Sequence, residues 1–492
     1  MTTKTRHHLI AGLTGNGWTA LMGIAFIPIY IAHLGPEGYG LIGVYVSLTG
    51  AFAVLDLGLA QSLSKMLAQF SSNKSETNRM ARAVRTLEII YLVSAVLIFL
   101  CIYALADVIA GYWLKPQTMQ VSEVRTSLVL IGAAIAARWP ISLYSGGLQG
   151  LQQHVRLNLI LVTTATIQAM GSVAVLIFFS PTVNAFMWWQ IAAGLMHAGL
   201  LRHSLYRTIQ PTQKPSFDAV ILKSIWKFAA GLTTISMLST LITQLDKFIL
   251  SKVLPLGDFG HYAFASAVAS ILFRIATPVF NIYFPKFTQA LTKGSGYLNH
   301  AYHEAAQLMT LAIVPAGLTL IAFSEPIIQL WSSDPDLARS TYLLVSILTI
   351  GNVLNALLYI PYAAQLANNI TKIAIAQNLV ALGVLVPALY WSAMHLGAKG
   401  AALCWVGVNI GYLFISLPVM HRWILRHELL DWYRKDIGLA ACVNLPIFFA
   451  GYWALKETSP GLVSYGIIPL TFAVSAGLTI ISLPNLRRSL FA

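Results

Sequence analysis

A handful of charged residues sit inside long apolar runs of this chain: Asp56, Arg138, the neighbours Asp246 and Lys247, and Arg274. A charge in a membrane span costs about 2.5–3.5 kcal/mol on insertion scales, so such groups face a bundle interior or water, and they pair or line a pathway. Basic side chains at that depth could hold a polyanion such as a phosphate through charge-assisted hydrogen bonds. Acidic ones could neutralise them, close a gate or carry a coupling ion. Two readings compete. In one, Asp246 pairs with Arg274, Arg138 and Asp56 are similarly neutralised, and all four are staples between helices. In the other, Arg138, Arg274 and Lys247 line a central cavity and bind an anionic group, while Asp246 and Asp56 serve gating or coupling.

Other chemistry lacks its residues. No Walker-type phosphate loop, His-Glu-x-x-His or Cys-x-x-Cys occurs, and Cys101, Cys404 and Cys442 each stand alone in apolar runs. No catalytic residue, metal ligand or cofactor is therefore assigned. The energy source expected for such a chain is substrate flux or an ion gradient, of H+ or Na+.

The elements that must position these charges are membrane helices. Of the 492 residues 57% are hydrophobic and 10% charged, against about 25% charged in soluble domains. Apolar runs of about 18 residues or more recur throughout, each long enough to cross a hydrocarbon core as a helix. They are continuous rather than alternating, which excludes a transmembrane β-barrel. The first run follows Lys4 and Arg6 but is too long for a secretory signal and lacks a cleavage site, so it is read as a retained helix. The parse predicts an all-α polytopic membrane protein with about fourteen transmembrane helices.

Charge distribution orients it. Most of the 31 Lys and Arg, among them Lys65, Lys74, Arg79, Arg82, Arg85, Arg202, Arg207, Lys293, Arg422, Arg426 and Arg434, fall on the face that holds both termini. The positive-inside rule makes that face cytoplasmic. The net charge of +14 is thereby explained by topology and anionic membrane lipids, with no nucleic-acid partner. Trp and Tyr near span ends, such as Trp188, Trp189, Trp432 and Tyr433, read as interfacial anchors.

The chain also repeats itself. Leu34-Gly35-Pro36-Glu37-Gly38 matches Leu256-Gly257-Asp258-Phe259-Gly260, and QGLQQHVRLNLI from Gln149 matches QLANNITKIAIA from Gln365 at nearly the same offset. The expected division is an N-terminal six-helix lobe at 1–204, a cytoplasmic linker at 205–224, a C-terminal six-helix lobe at 225–420, and two additional helices in 421–492. Six spans is an even number, so the two lobes share one orientation about a pseudo-two-fold axis along the membrane normal. The linker, with two prolines and several cations, is expected to be solvated and long enough for lobe movement.

In this order HLGPEGYGLIGVYVSLTGAFAVLDLGLAQSLSK, GGLQGLQQHVRLNLI, LDKFILSKVLPLGDFGHYAFA, FPKFTQAL and HLGAKGAALCW resemble the Wzx-type oligosaccharide (O-antigen) flippases of the multidrug/oligosaccharidyl-lipid/polysaccharide (MOP) exporter superfamily, over nearly the whole chain. The resemblance implies a MATE-like fold and a non-enzymatic activity in the bacterial inner membrane. The cargo implied is an undecaprenyl-pyrophosphate-linked oligosaccharide, moved from the cytoplasmic to the periplasmic leaflet. A polysaccharide polymerase and a chain-length regulator are the partners implied. The family's cationic cavity carries over by position to Arg138 and Arg274, with Lys247 in its acidic-basic pair. One departure is that GAKGAA has no glycine-bearing counterpart in the first half, where SPTVNAF stands. Within the superfamily a lipid II flippase and a cation-coupled multidrug exporter remain alternatives. A membrane glycosyltransferase or polysaccharide polymerase is the alternative of another class, opposed by the short external loops.

Overall fold

The computed structural model describes residues 15, 17–71, 76–292, 295–368, 370–458, 462–485 and 487. Lys4, Arg6, Lys74, Lys293 and the start of the first apolar run lie outside them. The described residues form helices and short connections with no strand. Hydrocarbon demands this, because a helix satisfies its backbone N–H and C=O groups within one segment. Ten helical segments among them are long and apolar enough to cross a membrane. The protein is therefore an all-α, multi-pass membrane protein. The larger number in the sequence parse arises by dividing Lys372–Trp423 at Gly397, starting a span before Ile27, and counting Val183–Ile209 and Ala219–Val253 as spans. Gln190, His197, Arg202, His203 and Arg207 lower the hydropathy of the first of those two helices.

The chain divides into two compact units, 1–260 and 261–492. The first holds α1 (Ile27–Phe52), α2 (Leu59–Phe70), α3 (Thr77–Val108), α4 (Val121–Arg138), α5 (Ile141–Gly150), α6 (His154–Phe178), α7 (Val183–Ile209) and α8 (Ala219–Val253). Helix α9 (Leu256–Ala269) runs across the division. The second unit holds α10 (Ile271–Leu291), α11 (Ser295–Ala322), α12 (Ser324–Ser332), α13 (Pro335–Leu357), α14 (Tyr359–Ala367), α15 (Thr371–Gly411), α16 (Leu417–Trp423), α17 (Leu439–Glu457) and α18 (Leu462–Ser482).

The segment expected to be a loose linker is mostly helical, and its non-helical part, 210–218, is tied down. Asn78 Nδ2 donates to Thr212 Oγ1 at 2.9 Å, and its Oδ1 accepts from the Gln213 amide at 3.2 Å. The Asp218 amide donates to Thr86 Oγ1 at 2.9 Å. Asp218 then caps α8 by accepting from the Val220 amide at 2.9 Å, and Asp334 caps α13 in the same way.

Both units interrupt their helices, at comparable places. Leu57 and Gly58, left-handed at φ 49° and 71°, separate α1 from α2, and Trp139-Pro140 separates α4 from α5. Ser270 separates α9 from α10, and Leu358 separates α13 from α14. The order long helix, break, short helix, tight turn, long helix over 121–178 recurs over 335–411. Two HLG turns are sharp bends inside what would otherwise be single helices: Gly35 stands at φ 70°, ψ 173° and Gly397 at φ 60°, ψ −143°. A side chain at such a φ is strained, which is why glycine occupies both. The histidine two positions earlier folds back on its own helix, donating from Nδ1 to the Ile29 carbonyl at 2.9 Å or the Trp391 carbonyl at 2.8 Å.

Candidate functional site

Arg138 ends α4 just before the break at Pro140, where α4 packs on α3 and α7. Its guanidinium donates to Gln168 Oε1 of α6 at 2.8 Å. Gln168 Nε2 donates to Gln190 Oε1 of α7 at 2.6 Å, and Gln190 Nε2 donates to Ser172 Oγ at 3.0 Å. The Gln168 carbonyl is held as well, by Ser172 Oγ at 2.8 Å and Trp189 Nε1 at 3.0 Å. Gln190, Gly194 and His197 lie one turn apart along α7. Gly194 leaves room for the arginine, since a Cβ there would come within 2.7 Å of Arg138 Cγ. His197 is buried, and its Nε2 has no hydrogen-bond partner among the described residues.

The charge balance of this cluster matters more than its size. No carboxylate lies within 4.0 Å of Arg138 among the described residues. Its side-chain acceptor among the described residues is the neutral Gln168. Arginine carries five N–H donors, and Arg138 is only partly covered. Arg138 is thus linked to α6 through a neutral partner rather than through an ion pair.

Asp56 has neutral partners. It stands at the break between α1 and α2, where it accepts from Tyr91 Oη of α3 and, at 3.2 Å, from Ser142 Oγ of α5. The Tyr91 ring lies beside Trp139, with centroids 6.1 Å apart. Asp56 thus joins the two broken helices of the first unit.

Asp246 and Lys247 pair with each other on α8 at 3.6 Å, with side chains 18% and 16% exposed. Lys247 Nζ also donates to the Thr243 carbonyl at 3.1 Å, so it is engaged locally. In the second unit Arg274 is exposed on α10, with no side-chain ion pair or hydrogen bond among the described residues. Of the residues singled out from the sequence, Arg138 and Arg274 thus have no carboxylate partner among the described residues, Asp56 is bound to hydroxyls, and Lys247 is closed onto its neighbour.

Sequence reasoning missed three polar knots. Glu88, 1% exposed, accepts from Arg202 at 2.6 Å and from Arg85 and Tyr144 at 2.7 Å each, joining α3, α5 and α7. A lone Glu at the start of an apolar run, three residues after an Arg, was its only signal. Glu37 is buried in the first HLG turn and accepts the amides of Gln117 at 2.7 Å and of Thr118 and Met119 at 3.0 Å. The same loop accepts from the Leu256 amide through the Lys115 carbonyl at 3.0 Å. In the second unit His303 of α11 lies between Asp436 at 2.5 Å and Glu428 at 3.0 Å.

Comparison with known proteins follows this geometry. Residues 33–334 match the model of a family described as polysaccharide biosynthesis protein. A Shigella flexneri protein assigned as an O-antigen transporter is 22% identical over 397 residues, covering 80% of this chain and 92% of that one. Among solved structures, an inward-facing multidrug resistance MATE family transporter of the MOP superfamily matches with TM-score 0.68 and 13% identity, over 87% of this chain and 99% of that one. The lipid II flippase MurJ, in an inward closed conformation, matches with TM-score 0.66 and 14% identity over 97% of each chain. The fold is that of the MOP superfamily.

Proposed function

Because this chain belongs to the polysaccharide biosynthesis protein family, we propose that it is a flippase that carries undecaprenyl-pyrophosphate-linked sugar units from the cytoplasmic to the periplasmic leaflet of a bacterial inner membrane. The observation that carries this reading is Arg138, held by the neutral Gln168 with no carboxylate within 4.0 Å among the described residues. An acidic cavity would suit cationic drugs; an open guanidinium suits a phosphate. Arg274 offers a second exposed cation of the same kind.

The chemistry explains why a protein is needed. A sugar head with a pyrophosphate cannot enter hydrocarbon, whereas its polyprenyl tail can stay there. Arg138 and Arg274 bind phosphate oxygens in turn, and the broken helices provide the positions at which the units bend during alternating access. Fourteen spans with both termini cytoplasmic belong to this proposal. The name of the Shigella flexneri relative supports it, as does the fold shared with a lipid II flippase.

The test is deletion in the native host, followed by analysis of lipid-linked sugars on each leaflet. Accumulation on the cytoplasmic leaflet with loss of surface polymer is the expected result. Unchanged surface polymer overturns the proposal.

A further inference from the structure

The outer surface of α10 changes character around its circumference. Leu272, Ala276, Val279, Tyr283, Phe287 and Ala290 are buried against the core of the second unit. Beside them runs a stripe of rings at helical spacing: Phe273, Phe280 and Phe284. Next around the helix come Arg274, Asn281 and Gln289, all exposed and with no side-chain hydrogen bond or ion pair among the described residues.

The ring stripe is extended by α14. Phe273 and Tyr359 stack with centroids 6.0 Å apart and planes 8° from parallel. Phe280 stacks on Phe284 at 6.0 Å and on Tyr362 at 6.1 Å, and meets Tyr359 edge-on at 6.2 Å. All these rings are half-buried rather than enclosed. Ordinary core packing accounts poorly for the tyrosines. A buried tyrosine hydroxyl normally finds a partner, whereas those of Tyr359 and Tyr362 have none among the described residues. Neither hydroxyl oxygen is completely enclosed, so each keeps some accessible surface. Hydrocarbon is a poor neighbour for two bare hydroxyls, a guanidinium and two free amides, which therefore require water or a polar ligand.

Aromatic faces beside free amides and hydroxyls suit a pyranose ring. Its C–H face lies flat on an aromatic ring, while its hydroxyls, at once donors and acceptors, meet Asn, Gln and Tyr groups at the edge. Phosphate would need only the cation. We propose that Phe273, Phe280 and Phe284 of α10 with Tyr359 and Tyr362 of α14 form a sugar-binding shelf that seats a pyranose of the cargo's head group, its edge hydroxyls meeting Asn281 and the two tyrosine hydroxyls. This rests on the transport reading above, and it gives the second unit a recognition task that charge alone does not.

The experiment uses the full-length purified protein in lipid nanodiscs and two probes: undecaprenyl pyrophosphate without sugar, and the lipid-linked oligosaccharide extracted from the deletion strain. The quantity measured is the ratio of their affinities. The unaltered protein prefers the sugar-bearing lipid, and the double variant Tyr359→Phe/Tyr362→Phe lowers that preference about tenfold. Both rings remain in that variant, so loss of packing cannot produce the change. Phe280→Leu, which removes the central ring, lowers the ratio further, whereas Arg138→Gln weakens both lipids together and leaves the ratio in place. An unaltered ratio in both shelf variants overturns the shelf while leaving the transport reading intact. Failure of the unaltered protein to bind either lipid overturns the transport reading, and the shelf falls with it.

Discussion

Gly260 sits so close to Pro36 that a Cβ on Gly260 would run into the Pro36 carbonyl oxygen. The relationship is reciprocal, since a Cβ on Gly40 would meet the Leu256 carbonyl oxygen in the same way. Gly260 and Gly40 are therefore glycine because backbone presses on backbone there, whereas Gly35 is glycine because of its left-handed φ. Gly257, the residue matched to Gly35, has neither a left-handed φ nor a crowded site, for its nearest neighbours would be 3.6 Å away. Gly260→Ala should destabilise the protein by about 1–3 kcal/mol, the usual range for overpacking. Gly257→Ala should stay within about 0.5 kcal/mol. Thermal unfolding of the two purified variants separates them, and equal melting temperatures would remove the close-approach argument.

Arg138→Gln should lower export of surface polymer at least tenfold at normal protein level, about the effect of losing one charge-assisted phosphate contact. Arg138→Lys should recover part of it, because lysine keeps the charge but loses the planar fork. Gly194→Ala places a methyl 2.7 Å from Arg138 Cγ and should displace the guanidinium, giving intermediate export. Immunoblots beside polymer analysis check all three. Full export in Arg138→Gln would leave the cluster with a structural role only.

Much of this was legible in the sequence, for definable reasons. Apolar length announces a membrane helix, and an isolated Arg138 or Arg274 in such a run stands out because charge is rare there. The Gln168–Gln190 chain that holds Arg138 did not stand out, since an uncharged glutamine barely alters a hydropathy window and its partner lies on another helix. Glu37 could be read as a turn residue but not as the acceptor of three backbone amides, because those donors have no residue type. The linker at 205–224 read as loose from its prolines and cations; Asn78 and Thr86, far away in sequence, hold it.

Glu88 should behave as a structural clamp. Arg202 and Arg85, half-exposed partners, reach a carboxylate that is almost wholly covered, and Tyr144 and, at 3.4 Å, Tyr206 also donate to it. Hydrogen bonds to a charged group are each worth about 1.5–3 kcal/mol, and solvent screening at the arginines reduces the sum. Glu88→Ala should lower stability by about 2 kcal/mol. Glu88→Gln, which keeps the shape but not the charge, should fall between. Melting temperature in detergent measures both, and wild-type stability in Glu88→Ala would show that the arginines are solvated equally well alone.

His303 is the corresponding clamp of the second unit, with a different internal logic. Both ring nitrogens meet a carboxylate, Asp436 at 2.5 Å and Glu428 at 3.0 Å, so both are donors when both acids are ionised. Asp436 is fully buried and also accepts from Gln307 Nε2 at 2.9 Å, while Asn299 Nδ2 donates to Glu428 at 2.6 Å. Three side chains of α11, Asn299, His303 and Gln307, thereby fasten the stretch between α16 and α17 through Glu428 and Asp436. His303→Ala leaves Asp436 buried with one neutral donor and should cost about 3 kcal/mol, the range for breaking a buried pair. Removing the stranded charge as well, in His303→Ala/Asp436→Asn, should restore part of that loss, and the shortfall from additivity measures the coupling. Limited proteolysis supplies the second readout: cleavage between Arg422 and Lys435 should rise in His303→Ala and fall back in the double variant. Strict additivity with unchanged cleavage would mean that the stretch is held by Trp432 and its apolar neighbours instead.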